Sequence, residues 1–308
     1  MSTEHVSTPV HVAAAVLGDA WSVLIMREAL LLGARRFGEF RDGLDVNRAT
    51  LANRLNLLVE AGLLERQDAE PGSDRQAYVP TPRGEEYVGV LLSMLEWGRR
   101  WEVDPDEGEL LIVRHQSCGA RLSTVLTCQV CCGPIDPRGV ALERPEFSVK
   151  RPPPHARHRM PDLDQLERAR PCPIARCLAT IGDRWSVLMV QEAFFGISEF
   201  DAFERRLGIA PNILSHRLNR LCERSVLVRR PSTTTSARHI YQLTEKGLDL
   251  YRVPAMLRQW AIKSMGVEDP LSLTHRWCGA DLAIDVRCTR CGESADADSV
   301  LASLPRAT

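Results

Sequence analysis

The stretch GDAWSVLIMREALL begins at Gly18, and a close copy, GDRWSVLMVQEAFF, begins at Gly182. Two further pairs of segments extend the likeness: LANRLNLL (51–58) with LSHRLNRL (214–221), and YVPTPRG (78–84) with YQLTEKG (241–247). A repeat of this length indicates two copies of one structural unit. It decides the number of domains more firmly than the length of 308 residues does.

Composition narrows the class of protein. The net charge is −1, so a nucleic-acid partner would need local patches of positive charge. No apolar run reaches the roughly 18 residues of a membrane helix, and the N-terminal residues do not form a signal peptide. We therefore expect a cytoplasmic protein without a membrane partner. In that compartment the ten cysteines indicate thiols or metal ligands rather than a disulfide framework.

Helical spacing of apolar residues predicts the first and last helices of each copy. Suitable N-cap residues precede four of these helices: Asp19, Thr81, Asp183 and Thr244. We expect Trp21 and Trp185 to anchor the core. The last helix of each copy is predicted to be long and to run through Trp97 in copy one and Trp260 in copy two.

Between these helices each copy has the pattern of a helix, a turn and a second helix. In copy two the helices are predicted over Phe200–Leu207 and Pro211–Arg224, with Gly208 in the turn; in copy one Asp45 or Asn47 is expected to cap the second helix. Leucines form one stripe of each second helix. The opposite face carries short polar side chains and one arginine: Arg48, Asn53 and Asn56, then Asn212, Ser215 and His216. Such side chains can read base edges in a major groove, and the alternative is an ordinary solvated face.

Two short strands follow each second helix, and a β-hairpin in this position is a wing. The first wing mixes Arg75 with acidic residues, whereas the second carries Arg230 and Arg238 with no acidic residue before Glu245. We therefore expect stronger attraction to phosphate in copy two. Arg54 and Arg217 lie beside the leucine stripes and are further candidates for phosphate contacts. Replacing Arg217 is expected to reduce the salt dependence of DNA binding by about one unit of slope.

Both copies resemble the HxlR family of bacterial winged-helix regulators. The resemblance rests on the GD-x-W opening, the FGEF or SEF segment, the L-x-x-R-L helix and the Y-x-x-T-x-x-G exit, and it covers roughly 8–101 and 172–265. It implies DNA-binding transcription regulators that act as dimers through their terminal helices. Some family members sense oxidants or electrophiles through a cysteine before the first helix. Cys172 lies at that place, and copy one has Thr8 there, so a sensor is expected only in copy two; the alternative is a small buried residue.

A second repeat follows each winged helix, with an H-x-x-C pair and then a C-x-x-C pair. Nine residues separate the two pairs in both copies. Paired knuckles of this kind predict two structural zinc sites, one in each copy. The predicted ligands are His115, Cys118, Cys128 and Cys131, then His275, Cys278, Cys288 and Cys291. Disulfides are the alternative, but a histidine cannot join one, and four protein ligands leave no open position for hydrolytic chemistry.

The predicted fold is mainly α-helical with small β wings. It consists of two winged helix-turn-helix domains, each followed by a small zinc-ribbon-like Cys/His module. The predicted boundaries are 8–104 for the first winged helix, 105–135 for its module, 136–170 for a Pro/Arg-rich linker, 171–267 for the second winged helix and 268–304 for the second module.

We expect a sequence-specific transcription regulator that binds double-stranded DNA and in which two non-identical winged helices imitate a dimer within one chain. Half-sites roughly 34 Å apart, with different sequences, follow from that geometry. A homodimer through the terminal helices stays open. The alternatives are a redox-responsive regulator triggered through Cys172 and a protein-docking module that does not bind DNA. No nucleophile–base pair, phosphate-binding glycine loop or open metal site indicates an enzyme.

Overall fold

The computed structural model describes residues 5–68, 76–108, 110–143, 148–149, 161–231 and 239–305. In chain order the first copy comprises β1 (His5–Val6), α1 (Pro9–Leu17), α2 (Ala20–Leu31), α3 (Phe37–Leu44), α4 (Arg48–Glu60), β2 (Leu64–Asp68), β3 (Gln76–Pro80), α5 (Pro82–Glu85) and α6 (Val88–Trp101). Three strands follow: β4 (Ile112–His115), β5 (Thr124–Cys128) and β6 (Val140–Glu143).

The second copy repeats this order after two connecting elements, β7 (Ser148–Val149), which pairs in parallel with β1, and α7 (Leu163–Glu167). Its helices and wing are α8 (Pro173–Ile181), α9 (Arg184–Phe194), α10 (Phe200–Leu207), α11 (Pro211–Glu223), β8 (Leu227–Pro231), β9 (His239–Leu243), α12 (Glu245–Asp249) and α13 (Arg252–Met265). The last strands are β10 (Ser272–His275), β11 (Ile284–Cys288) and β12 (Val300–Ser303). Among the described residues, no helix combines the length and the hydropathy needed to cross a bilayer.

Local capping explains where several helices begin. The carboxylates of Asp19 and Asp183 accept the backbone N–H groups of Ser22 and Ser186, each at 3.2 Å, which confirms both predicted N-caps. Asn47 caps α4 in the same way. In copy two Ala210 makes no side-chain cap, and Pro211 opens the helix instead, at a position where its missing N–H is not needed.

The prediction of one long helix after each wing is wrong. Thr81 and Thr244 cap the short helices α5 and α12, and the long helices α6 and α13 begin separately. The reason is a close contact with the wing: a Cβ added to Gly84 would lie 2.1 Å from the carbonyl oxygen of Leu63. Gly247 meets the carbonyl of Val226 at the same distance. The short helix is therefore tied to the wing before the chain continues.

The fully buried tryptophans are Trp97 and Trp260, whereas Trp21 and Trp185 are only half-buried. The indole N–H of Trp97 donates to the carbonyl of Lys246 in copy two, and that of Trp260 donates to the carbonyl of Arg83 in copy one, both at 3.0 Å. The core anchors are thus the later tryptophans, and each bonds across to the other copy.

The two copies share one core. Helix α1 packs against α13, α8 packs against α6, and α6 and α13 also contact each other. The α6–α8 contact is close, since a Cβ added to Gly98 would lie 2.0 Å from the carbonyl oxygen of Pro173. The backbones of Asp19 and Asp183 form an antiparallel bridge at the same interface.

The six module strands are interleaved between the copies. Strand β4 pairs with β12, β5 with β11 and β6 with β10, all antiparallel, so every ladder joins copy one to copy two. The Cys/His module predicted after each winged helix is present, and its strands pair across the copies instead of within one copy. Strand β6 lies inside the predicted linker 136–170, so this part of the linker is folded. The physical reason is the shared core, because α6 and α13 bring the starts of both strand sets together.

Candidate nucleic-acid interface and metal centres

The second helix of each helix-turn-helix, α4 or α11, buries its leucine stripe and exposes the opposite face. The buried residues are Leu51, Leu55 and Leu58, then Leu214, Leu218 and Leu221. The predicted base-reading residues are all exposed: Arg48, Asn53 and Asn56, then Asn212, Ser215 and His216. Their contact with DNA stays a prediction, and their accessibility meets its first requirement.

The wing of copy one is bonded to its recognition helix. Arg66 donates to the side-chain oxygen of Asn56 at 2.5 Å, so Asn56 already has a partner on the wing. The described part of the second wing exposes Arg229 and Arg230 and contains no carboxylate, whereas the first exposes Glu65 and Asp68. Arg75 and Arg238, also predicted as contacts, lie outside the described residues.

The setting of Arg54 argues against the phosphate contact predicted for it. Its side chain is 5% exposed, and its Nε donates to the carboxylate of Asp19 at 2.9 Å. The position beside the leucine stripe faces the start of α2 rather than solvent. Arg217 is the counterpart in copy two, with its Nε 3.2 Å from Asp183 and 17% of its side chain exposed. It keeps an accessible edge, so its phosphate contact stays a prediction.

Cys172 is buried at the start of α8 among charged side chains of both signs. Its sulfur accepts the backbone N–H of Ala175 at 3.3 Å and a bond from Nη1 of Arg27 at 2.8 Å. Arg27 comes from copy one and is 1% exposed, and it also pairs with Glu28 at 2.6 Å. Sequence reasoning missed Arg27. The sequence did contain a signal for Arg27: it is a charged residue within an apolar helix, and the equivalent residue of copy two is the uncharged Gln191.

The described residues contain two groups of four side chains that could each hold a metal ion. Their members are His115, Cys118, Cys288 and Cys291 in the first group, and Cys128, Cys131, His275 and Cys278 in the second. All eight predicted ligands are present, but the predicted grouping within each copy is wrong. Each group combines the H-x-x-C pair of one copy with the C-x-x-C pair of the other, because the strands that carry them pair across the copies.

The distances within each group suit a tetrahedral centre. The sulfurs of Cys118 and Cys288 are 4.0 Å apart, and those of Cys128 and Cys278 are 3.8 Å apart. Two sulfurs bound to one tetrahedral zinc ion are about 3.8 Å apart, and sulfurs in a disulfide are about 2.05 Å apart. The donor set and the spacing therefore fit a zinc-type ion and do not fit disulfides.

The histidine of the first group is held in a ligating orientation. Nδ1 of His115 lies 3.6 Å from the sulfur of Cys118 and 3.2 Å from that of Cys291. Its Nε2 lies 3.1 Å from the carbonyl oxygen of Ser294, and a proton on Nε2 would be donated there. That bond leaves the lone pair on Nδ1, which faces the sulfurs, as expected for a metal-binding imidazole.

Backbone N–H groups assist ionisation of one thiol in each group. Burial of Cys128 works against the thiolate, but the N–H groups of Cys131 and Val130, together with bonds from the thiols of Cys278 and Cys131, lower the pKa of Cys128. The pKa of Cys288 is lowered in the same way by the N–H groups of Cys291 and Arg290. The thiolate is the metal-binding form, so Cys128 and Cys288 are favoured as ligands. A backbone N–H bond to each of Cys131 and Cys291 is outweighed by burial and the neighbouring thiols, which raise the pKa of both.

In a comparison with known protein families, one family model matches this chain at two places. HxlR-like helix-turn-helix is matched by residues 16–106 and again by residues 180–269. The Uncharacterized HTH-type transcriptional regulator Rv3095 of Mycobacterium tuberculosis is 37% identical over 129 residues, which are 41% of this chain and 82% of that protein. The Uncharacterized HTH-type transcriptional regulator sll1512 of Synechocystis is 35% identical over 100 residues, or 32% of this chain and 73% of that protein. Among solved structures, the protein in "Crystal Structure of PA1607, a Putative Transcription Factor" is 35% identical in sequence to this chain. The superposition has a TM-score of 0.40 and covers 44% of this chain and 95% of that one.

Proposed function

Because the chain belongs to the HxlR-like helix-turn-helix family, we propose that it reads one DNA duplex with both of its recognition helices, α4 and α11. The chain is a DNA-binding transcriptional regulator and not an enzyme, as its family and its relatives indicate. The observation that carries the proposal is the exposure of two polar recognition faces on two copies that share a single core.

The contacts between the copies support an arrangement like that of a two-subunit regulator. The reciprocal bonds of Trp97 and Trp260 to carbonyls of the opposite copy are what a two-fold interface produces. Helices α1, α6, α8 and α13 bury their apolar faces against each other within one chain. We therefore propose that a single chain suffices, rather than a homodimer through the terminal helices. Light scattering that gives the mass of two chains would contradict this.

The two recognition faces are chemically different, so the two half-sites are expected to differ. Asn53 in α4 occupies the place of His216 in α11, and Arg48 occupies the place of Pro211. An amide suits adenine and a guanidinium suits guanine; copy two also offers an amide, on Asn212, but adds imidazole and hydroxyl groups in place of the guanidinium. The proposed operator is an imperfect palindrome with half-sites about one helical turn apart.

Selection of bound fragments from genomic DNA by the purified chain, followed by footprinting, tests this proposal. The expected result is salt-dependent binding to a duplex with two protected, unequal half-sites. A perfectly symmetric site would contradict the inequality. Absence of salt-dependent binding to any duplex would contradict DNA reading and would favour the alternative of a protein-docking module.

Single replacements assign each helix to its half-site. Asn53→Ala is expected to relax the base preference in one half-site and His216→Ala in the other, each by about 1–3 kcal/mol. Glu223→Gln, an exposed position at the end of α11, is the matched control and should leave both preferences unchanged. Loss of preference in both half-sites from one replacement would contradict separate reading.

We further propose that each Cys/His group holds a structural zinc ion. Three thiolates and one imidazole are a usual zinc donor set, and the pattern of distances fits it. Elemental analysis of the purified chain is expected to give two zinc ions per chain. Recovery without bound metal, under conditions that keep the thiols reduced, would contradict this assignment.

A second candidate function is thiol-based regulation through Cys172. The guanidinium of Arg27 donates to the Cys172 sulfur at 2.8 Å, and the backbone N–H of Ala175 in the first turn of α8 donates to it at 3.3 Å. The experiment compares DNA affinity before and after oxidant in the wild type and in Cys172→Ser. A response that persists in Cys172→Ser would exclude this role, and Cys222→Ser, at a half-buried position on α11, is the control.

A further inference from the structure

Both metal groups lie between the copies rather than within them. The first takes His115 and Cys118 from copy one and two cysteines from copy two, and the second reverses this division. We infer that two zinc-type ions cross-link the copies and that their occupancy fixes the spacing of the two recognition helices. The effect on DNA reading rests on the proposed function, whereas the cross-link itself does not.

Two of the strands that carry the ligands, β5 and β11, are hydrogen-bonded at their first residues to helices of the shared core. Glu96 of α6 accepts the backbone N–H of Thr124 at 3.3 Å, and Gln259 of α13 accepts that of Ile284 at 3.0 Å. Thr124 and Ile284 are the first residues of β5 and β11. Each strand is therefore bonded at its start to one of the two central helices.

The same strands end on metal ligands. Strand β5 ends at Cys128 and β11 at Cys288, and the two pair in antiparallel register, with Ile284 opposite Cys128 and Cys288 opposite Thr124. The start of each strand thus lies beside the ligand at the end of the other. The short β5–β11 ladder therefore connects both metal groups to the two central helices, α6 and α13.

Additional bonds fasten the ladder to the helices. Arg99 of α6 donates to the carbonyl of Leu122 at 2.9 Å, and Arg258 of α13 donates to that of Leu282 at 2.7 Å. At the centre α6 approaches closely, because a Cβ added to Gly89 would lie 2.7 Å from Met256 of α13 and 3.4 Å from Val286 of β11. A shift of the β5–β11 ladder would therefore change the packing of α6 on α13.

Release of the metals should loosen this connection. A ladder of two short strands is marginally stable by itself, and metal ligation supplies a large part of the folding free energy in small modules of this kind. Without the metals, the ligand pairs are no longer linked to each other, and the copies are held by helix packing, the strand ladders and the two tryptophan bonds. The angle between the two winged helices then becomes less fixed.

Zinc stoichiometry in two double variants tests the cross-link directly. Cys118→Ser with Cys291→Ser removes two ligands of one cross-copy group, so the content should fall from two zinc ions to one. Cys118→Ser with Cys131→Ser removes one ligand from each group, so the content should fall toward zero. Ligation within each copy gives the opposite result for each pair and would overturn the inference. Both variants lack the same number of thiols, so each controls for the other.

Pulsed electron paramagnetic resonance tests the effect on spacing. Labels on bio-orthogonal residues at Glu60 and Glu223, which are exposed and equivalent positions at the ends of α4 and α11, report the distance between the recognition helices. We expect one narrow distribution in the zinc-loaded chain and a broader one after treatment with a chelator, with narrowing when zinc is returned. An unchanged distribution would overturn the control of spacing. Neither measurement uses DNA, so failure of DNA binding is detected separately.

Discussion

His11, on α1, is a histidine in an apolar environment. It is 5% exposed, and neither ring nitrogen has a hydrogen-bond partner. Burial, and then the positive charge of Arg184, lower its pKa from the ordinary 6.5 to about 4. The second copy has Ala175 at the same place, so the fold itself does not require an imidazole there.

This pKa shift predicts a loss of stability in acid. Between pH 6.5 and pH 4 the unfolded chain binds a proton at His11 and the folded chain does not, so the free energy of unfolding falls as the pH is lowered across that window. The shift corresponds to about 3 kcal/mol. Chemical denaturation at several pH values should show a smaller fall in His11→Ala than in the wild type. Equal falls in both proteins would contradict the prediction.

Arg54 and Arg217 form a matched pair with different expected effects. Arg54→Gln should lower stability by roughly 2–4 kcal/mol, because it breaks a buried ion pair with Asp19, and should leave the salt dependence of DNA binding unchanged. Arg217→Gln is expected to reduce that salt slope by about one unit. Salt titration of DNA affinity and thermal unfolding of both variants separate the roles. An unchanged slope for Arg217→Gln would remove it from the phosphate contacts.

At the scale of elements, close packing of α6 on α8 gives a sharp prediction. Gly98→Ala places a methyl group 2.0 Å from a backbone oxygen of Pro173, so the helices must separate, with a cost of about 3 kcal/mol or more. Gly38→Ala in α3 is the control, because a Cβ there meets nothing within 4 Å and a helical alanine should stabilise by up to about 1 kcal/mol. Similar unfolding midpoints for the two variants would contradict the close contact.

Elements set by local chemistry could be predicted from the sequence. The bounds of α10 agree with the expected Phe200–Leu207, and the caps Asp19 and Asp183 depend only on nearby N–H groups. The break between α5 and α6 could not be predicted, because it depends on the approach of Gly84 to the wing. Cap preference at Thr81 is the same for a short helix as for a long one.

At the scale of the whole molecule, the identity of the metal ligands could be predicted but their partners could not. Both copies have the same H-x-x-C and C-x-x-C spacing, so the local pattern is identical whether the pairs combine within a copy or between copies. The difference lies in the packing of α6 on α13, which involves residues distant in sequence. The burial of Arg54 escaped prediction for the same reason, since its partner Asp19 lies on another helix.

Because the two copies share one core, we also expect DNA binding to be sensitive to the distance between the two half-sites of the operator. Inserting about 5 base pairs between the half-sites rotates one half-site by half a helical turn relative to the other. Inserting about 10 base pairs returns both half-sites to the same face of the duplex but increases the distance between them. Because the copies pack together through α6 and α13, both insertions should weaken binding at least tenfold, as measured by electrophoretic mobility shift. Retained affinity with the longer insertion would indicate that the two halves separate on DNA.

The interleaved strands have a consequence for biosynthesis. While the first copy emerges from the ribosome, β4, β5 and β6 lack their ladder partners, because all three pair with strands of the second copy, which is synthesised later. Until then the nascent polypeptide presents open strand edges and reactive thiols. A neighbouring nascent polypeptide on the same messenger carries the complementary strands, so the path to the native fold competes with domain-swapped assembly. Slow or crowded synthesis should therefore increase the yield of entangled oligomers.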